Sequence, residues 1–335
     1  MIVNYNGRDC IERCLDAVCA QSLPPARTIV VDNASTDGSP ELVRKGHPEV
    51  DLVTLGENVG FAAANNLAAA RADDCEWLAL LNPDAFPEPA WLEKLVAAAK
   101  NHPEFELVGS HMLRAGSNEL DGTGDVYHVG GMAWRRDNGK AAASVRRERG
   151  EVFSPCAAAA LYPRELFLGA GGFDERFFAY YEDTDLAFRL RLRGHRCLYE
   201  PDAVVHHVGF AAAGAEAPFT VYYSQRNIVW TYVKNMPAPL LWLYLPQHLL
   251  VNLLNVIWYA LRGEAGAVLR AKVDAVRGVP AAVRARREVQ AGRRVGSREL
   301  RRLMAHGAGP YTTGLRRAFD TWRRGTGGVG ARASS

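Results

Sequence analysis

An α/β chain with a Rossmann-like, mostly parallel central sheet and a helical C-terminal extension is what the sequence predicts, on three observations. Short apolar runs alternate with amphipathic stretches over the first hundred residues. The ends of those runs fall roughly 25 residues apart, which suits a strand, a crossover helix and the next strand. Beyond residue 235 the chain changes character, first to an uncharged stretch and then to an Arg-rich one.

The strands follow in order. Ile2-Val3 ends at Asn4-Tyr5-Asn6-Gly7, and Ile11, Leu15 and Val18 then fall at helical spacing. Ile29-Val30-Val31 ends at Asp32, Leu52 to Leu55 ends at Gly56-Glu57-Asn58, and Trp77 to Leu81 ends at Asn82-Pro83-Asp84. In doubly wound sheets ligands bind beyond the carboxyl ends of the strands. Every one of these polar clusters sits at such an end. From Glu106 to Glu151 the pattern is less regular, with turns at Gly122, Gly124, Gly130 and Gly131, and a second ordered block runs from Phe153 to His207 with a helix expected over Thr184 to Arg193.

The 335 residues, 48% hydrophobic and 23% charged, allow one large domain or two modest ones. A net charge of +3 hides an asymmetry: residues 262–324 carry 16 Arg or Lys against 5 acids, about +11, leaving about −9 on residues 1–261. The six cysteines include no C-x-x-C pair and read as reduced thiols of a cytosolic chain. The opening MIVNYNG has neither the basic start nor the apolar run of a signal peptide, and reads as the second half of a strand.

Met236 to Leu261 contains 26 uncharged residues, enough to cross a bilayer. Pro237, Pro239, Pro246, Gln247, His248, Asn252 and Asn255 interrupt it, and basic residues follow directly. A membrane-embedded or interfacial helical hairpin is expected over a simple crossing, with a buried core helix as the alternative. The tail after Gly325 has the composition of a disordered segment.

Five motifs carry candidate chemistry. VVDNASTDGS (30–39) sets Asp32 and Asn33 at a strand end, to accept from a base N–H or ribose hydroxyl or to close an Asx turn. ENVGFAAANN (57–66) places Asn58, Gly60 and Asn65 near the ligand edge, while its Ala run suits close helix–sheet packing. LLNPDA (80–85) delivers Asp84 on a turn fixed by Pro83; a lone carboxylate there suits Mg²⁺ or Mn²⁺, or caps a helix beginning near Pro87. FFAYYEDTDLAFRLRLRG (177–194) gathers Glu182, Asp183 and Asp185 at a helix N-terminus, where capping alone would explain acids. Aromatic walls beside them reduce hydration and raise a carboxyl pKa, which suits a proton acceptor, and Arg189 can brace Asp185 at i,i+4. His206 and His207 end an extended segment with opposite faces, so one at most is a ligand.

Taken in order, VNYNG, VVDNASTDGS, ENVGFAAANN, LLNPDA, GGFDERFFAYYEDTDLAFRLRLRG and VVHHVG resemble the motif series of glycosyltransferase family 2, in particular its bacterial rhamnosyltransferase-like branch, over residues 1 to about 235. The resemblance implies a GT-A fold and inverting transfer from a nucleotide-diphosphate sugar. It implies Asp32 for the nucleoside base, with Tyr5 and Asn58 in the same pocket. Asp84 matches the metal ligand of the D-x-D element, in which this sequence has Asn82 at the first position, so one negative charge is missing. Asp183 matches the catalytic base with Glu182 beside it, His206 a histidine of the metal site, and Gly172, Asp174 and Tyr181 the acceptor side.

The implied organisation is a nucleotide-sugar-binding half (1–110), an acceptor-binding and catalytic half (111–235), a membrane-associating helical region (236–324) and a tail (325–335). The implied cofactor is Mg²⁺ or Mn²⁺. The implied partners are a donor with dTDP-rhamnose first, a glycan or polyprenyl-linked acceptor and the inner face of the cytoplasmic membrane. No nucleic-acid module is present, and self-association is left open. A sugar-1-phosphate nucleotidyltransferase and a non-catalytic polysaccharide-assembly protein are the rival readings. The first would want a Gly-rich, basic loop after the first strand, where Asn6-Gly7-Arg8-Asp9 offers little of that.

Overall fold

The apolar runs at the start of the chain fold as the strands the spacing implies: β1 (Ile2–Asn4), β2 (Ile29–Asp32), β3 (Asp51–Thr54) and β4 (Trp77–Leu81). Between and after them lie α1 (Ile11–Cys19), α2 (Ser39–Gly46), α3 (Gly60–Arg71), the short β5 (Ala85–Pro87) and α4 (Trp91–Asn101). The chain continues through β6 (Leu107–Arg114), β7 (Leu120–Gly122), β8 (Asp125–Tyr127), β9 (Ala133–Arg135), β10 (Gly150–Val152), β11 (Ala159–Pro163), α5 (Arg164–Gly169), α6 (Glu182–Leu192) and β12 (Cys197–His207). It closes with α7 (Pro218–Asn235), α8 (Ala238–Leu261), α9 (Ala265–Ala291) and α10 (Ser297–Leu303). This computed structural model describes residues 1–209 and 218–307, of which Met1–Met304 form one compact unit; the tail expected to be disordered lies outside the described residues.

The main sheet runs β10-β12-β6-β11-β4-β1-β2-β3. β1, β2, β3 and β4 pair in parallel, and so do β6 and β12, while β11 lies antiparallel between β4 and β6. Register puts the ends of the first three strands side by side, Asn4 opposite Asp32 and Asp32 opposite Thr54. Two apolar layers cover the sheet. One carries Ile11, Leu15, Val43, Trp91 and Leu95; the other carries Ala62, Ala64, Ala68 and Ala69 of α3 with Phe167, Phe173 and Leu186. The Ala run therefore packs, its small side chains letting α3 lie close to the strands.

The helical hairpin expected within 236–261 does not form. α8 is one helix of 24 residues that continues through Pro246. The chain reverses only at Arg262–Glu264, where Gly263 has φ +87°. Leu240, His248 and Val251 face inward. Trp242, Leu243, Leu249, Leu250, Leu253, Ile257 and Leu261 are exposed, Leu261 by 81%, and recur at three- and four-residue steps along the helix. By length and composition α8 is long and apolar enough to cross a membrane.

Candidate active site

The carboxyl ends of β1 to β4 collect the polar groups. Asp32 is buried, its oxygens accepting from Asn4 Nδ2 at 2.8 Å and the Ser35 N–H at 3.0 Å. The Asx-type turn and the strand-end acid are thus one feature. Asn33 donates to Asn58 Oδ1 at 2.7 Å and accepts from the Val59 N–H at 2.8 Å, and Asn58 Oδ1 also takes the Gly60 N–H at 2.9 Å. These contacts tie the loops after β2 and β3 into one wall, with the half-exposed Tyr5 at its rim. Asn65 is buried inside α3 and donates to the Phe61 carbonyl one turn back, a contact that serves the helix.

Gly60 opens α3 at φ +88°, and a Cβ there would lie 2.6 Å from the Phe178 ring and 2.7 Å from its carbonyl oxygen. Only glycine fits this crossing of two loops. Gly60→Ala is expected to lower unfolding free energy by about 1–3 kcal/mol in a urea titration; an unchanged midpoint would contradict this contact.

After β4, Asp84 does not cap a helix, since α4 begins only at Trp91. Its Oδ2 accepts from the Gly209 N–H at 3.1 Å and its Oδ1 lies 3.2 Å from His207 Nε2. The histidine expected here was His206. The structure brings His207 here instead: β5 pairs antiparallel with β12, and the twofold alternation of β12 turns His207 toward Asp84 while His206 faces the other way and pairs with Glu88 at 3.2 Å. His207 Nδ1 donates to Asp121 Oδ2 at 2.8 Å, and Asp121 in turn holds Arg135. Burial alone would raise the Asp84 carboxyl, but the bond and charge of His207 outweigh it and hold it below the usual range. Burial depresses the imidazole, and its bonds to Asp121 and Asp84 outweigh that and raise it.

A divalent cation fits this corner. Asn82 Oδ1 is buried with no hydrogen-bond partner, and its amide nitrogen lies 3.5 Å from His207 Nε2. An orphaned carbonyl oxygen, a carboxylate and an imidazole make a donor set that suits Mg²⁺ or Mn²⁺. The Asp121 carboxylate behind His207 is the partner that commonly orients a metal-bound imidazole.

Asp183 is tied to the same strand end. The Asn82 N–H donates to the Ala158 carbonyl at 2.9 Å, and the Ala157 N–H donates to Asp183 Oδ2 at 3.1 Å, so one short segment touches both strand end and acid. Asp183 Oδ1 accepts from the Thr184 N–H at 2.7 Å. Asp125 and Cys156 offer atoms within 4.8 Å of an Asp183 oxygen and of each other. Desolvation raises the Asp183 carboxyl, opposed by its amide donors and by Arg135. Desolvation and then the Asp183 charge push the buried Glu182 well above the usual range, and its Oε2 has no partner.

The groups expected on the acceptor side are engaged in bracing. Asp174 pairs with Arg176 and with Lys234 at 2.7 Å, and the Gly172 carbonyl accepts from Arg189 at 2.7 Å. Asp185 is buried against Arg189 at 2.8 Å, the i,i+4 brace the spacing implied. Tyr181, at φ +71°, accepts the Ala133 N–H on its hydroxyl at 3.1 Å. Asp121, Asp125 and Arg135 were not singled out from the sequence, where the only local signal was the Gly-rich stretch DGTGD in which the two acids sit; His207 was named there only as the neighbour of His206.

Known proteins resemble this chain in both sequence and fold. The family described as Glycosyl transferase family 2 matches residues 1–168. An N-acetylglucosaminyl-diphospho-decaprenol L-rhamnosyltransferase of Mycobacterium tuberculosis is 28% identical over 287 residues, covering 75% of this chain and 91% of that protein. Among solved structures, S. aureus TarS 1-349 in complex with UDP aligns with TM-score 0.52 at 17% identity, over 92% of each chain. The mannosyltransferase PcManGT from Pyrobaculum calidifontis, in complex with GDP-Man and Mn²⁺, aligns with TM-score 0.50 at 21% identity, over 87% of this chain and 84% of that one. At such identities the two structures speak to the α/β GT-A fold.

Proposed function

The chain belongs to glycosyltransferase family 2 and is a nucleotide-sugar-dependent glycosyltransferase, and from that premise we propose that it moves rhamnose from dTDP-rhamnose, with inversion, onto a hydroxyl of a polyprenyl-diphosphate-linked glycan. Membership sets aside the nucleotidyltransferase and non-catalytic readings. The observation that carries the chemistry is the segment bonded at once to Asn82 and to Asp183, which sets a strand-end cation corner beside a raised carboxylate. The choice of sugar and lipid rests on the mycobacterial relative.

In this reading Asp32, Asn33, Asn58 and Tyr5 hold the nucleoside. Asp84, His207 and Asn82 would hold Mg²⁺ or Mn²⁺, which when bound neutralises charge on the departing diphosphate. Asp183 accepts the proton of the acceptor hydroxyl as its oxygen attacks the anomeric carbon from the face opposite the leaving group. Configuration inverts in that single displacement. A thermal-shift panel of dTDP-rhamnose, UDP-galactose and GDP-mannose, each with and without Mn²⁺, tests the donor. dTDP-rhamnose at 100 times its Kd should stabilise the fold by about 2.7 kcal/mol, and a larger response to either other donor would overturn the choice.

The exposed leucines of α8 and the basic α9 that follows suit an anionic leaflet, where lipid-linked acceptors are presented. The triple variant Leu249→Gln, Leu253→Gln, Ile257→Gln is expected to bind anionic phospholipid vesicles about 100-fold more weakly in flotation, with nucleotide binding unchanged. Equal flotation would remove α8 from the membrane reading.

A further inference from the structure

The turn that leads into Glu182-Asp183 is strained. Phe178, Tyr180 and Tyr181 have φ of +65°, +66° and +71°, three left-handed residues in four, and none is glycine. Each such residue costs about 1–3 kcal/mol and persists only where its surroundings over-determine it. What holds this one is α7. The amide nitrogen of the fully buried Asn227 donates to the carbonyls of Phe177 at 3.0 Å, Ala179 at 2.9 Å and Tyr180 at 2.7 Å. Arg226 Nη2 donates to the carbonyls of Arg176 and Phe177, both at 2.9 Å. Its Nε donates to Asn227 Oδ1 at 3.0 Å, which turns the amide so that its NH₂ faces the strained carbonyls.

Two turns along the same helix a second pair grips the other side. Lys234 bonds Asp185 at 2.8 Å and Asp174 at 2.7 Å, and Asn235 donates to Asp185 Oδ1 at 2.7 Å. Asp185 lies in the first turn of α6, two residues beyond Asp183. One helix therefore fixes the backbone before the catalytic acids and the helical turn after them, without itself bonding Asp183.

We propose that Asn227, oriented by Arg226, is a positioning residue of the transferase: it locks the left-handed Phe178–Tyr181 turn and so sets where the Asp183 carboxylate meets the acceptor hydroxyl. This rests on the reading of Asp183 as base. Without the amide nothing else bonds the carbonyls of Ala179 and Tyr180 from α7, and the turn relaxes toward right-handed backbone. A misplacement of about 1 Å at the reacting atoms costs roughly 100-fold in rate.

The test compares Asn227→Ala, Asn227→Ser, Asp183→Asn and a core control, Val251→Ala, in the full chain. Binding is read with UDP, GDP and dTDP, and turnover as release of the tightest of these from its sugar donor. Asn227→Ala should lose about 100-fold in kcat with nucleoside-diphosphate Kd within about threefold of the parent. Asn227→Ser, which keeps one donor, should fall between the two and carries the test if Asn227→Ala does not fold. Val251→Ala, destabilised in α8, should keep its kcat. The proposal is overturned if a folded Asn227 variant keeps its kcat, if Val251→Ala loses as much, or if Kd rises by the same factor as kcat falls. Should Asp183→Asn remain active, the base reading fails and takes this one with it; an inactive Asp183→Asn beside an active Asn227→Ala sinks the positioning role alone.

Discussion

Asp183→Asn is expected to lower kcat by about three orders of magnitude, within the range a positioned general base supplies, while nucleoside-diphosphate affinity stays within about threefold. Amide replaces carboxylate at nearly the same size, so the cleft keeps its shape. Two backbone donors, from Ala157 and Thr184, meet the two carboxylate oxygens, and an amide offers an acceptor to only one of them. A loss of roughly 1–3 kcal/mol in stability should accompany the loss of rate, and the binding measurement separates the two. The pH profile gives an independent sign. The folded carboxyl is raised, so the base is lost by protonation as pH falls through that raised value, and the acid limb of kcat should lie above the ordinary aspartate range. In the variant that limb disappears. Wild-type turnover with Asn at this position would remove Asp183 from the chemistry.

His207→Ala should weaken Mn²⁺ activation of turnover by about 10–100-fold, as loss of a metal-site group commonly does, whereas His206→Ala should leave it within about twofold. The two residues are neighbours in sequence with the same side chain, so the contrast isolates geometry. His207 is buried between Asp84 and Asp121 at 3.2 and 2.8 Å; His206 meets the exposed Glu88. Removing His207 also takes away the imidazole 3.2 Å from Asp84, so part of the loss will appear as a lower melting temperature. A Mn²⁺ titration of each variant reads the metal effect separately. The reverse pattern, with His206 as the sensitive residue, would contradict the site as built.

The loops beyond the strand ends were legible because strand ends in parallel sheets announce themselves: Asp32, Asn33, Asn58 and Asp84 all emerged from apolar runs that stop at polar residues. Asp183 enters the proposed site only through motif order, since an acid at a helix N-terminus also reads as a cap. That His207 and not His206 faces Asp84 was not legible, because period-two alternation tells that two adjacent histidines face opposite ways but not which way; that depends on β5 folding back onto β12. Asp121, Asp125 and Arg135 come from short, Gly-punctuated strands that pair with near neighbours, but the groups they meet, His207 and Asp183, lie far along the chain, and no local pattern carries a charge chain of that kind. The α8 hairpin failed for a different reason. Pro246 is a strong local breaker, yet packing of His248 on Tyr232 and its bond to the Gly130 carbonyl hold the helix through it. Asn227 and Arg226 carry no local sequence signal, because what they hold is a backbone conformation 47 to 50 residues away.

The account turns on a single displacement at the anomeric carbon, and the stereochemistry of the product tests it most directly. Transfer from a donor of known anomeric configuration, with the product's one-bond C1–H1 coupling measured by NMR, should give the inverted anomer alone. Retention of configuration would require an intermediate that the single carboxylate Asp183 does not provide, and would contradict the mechanism.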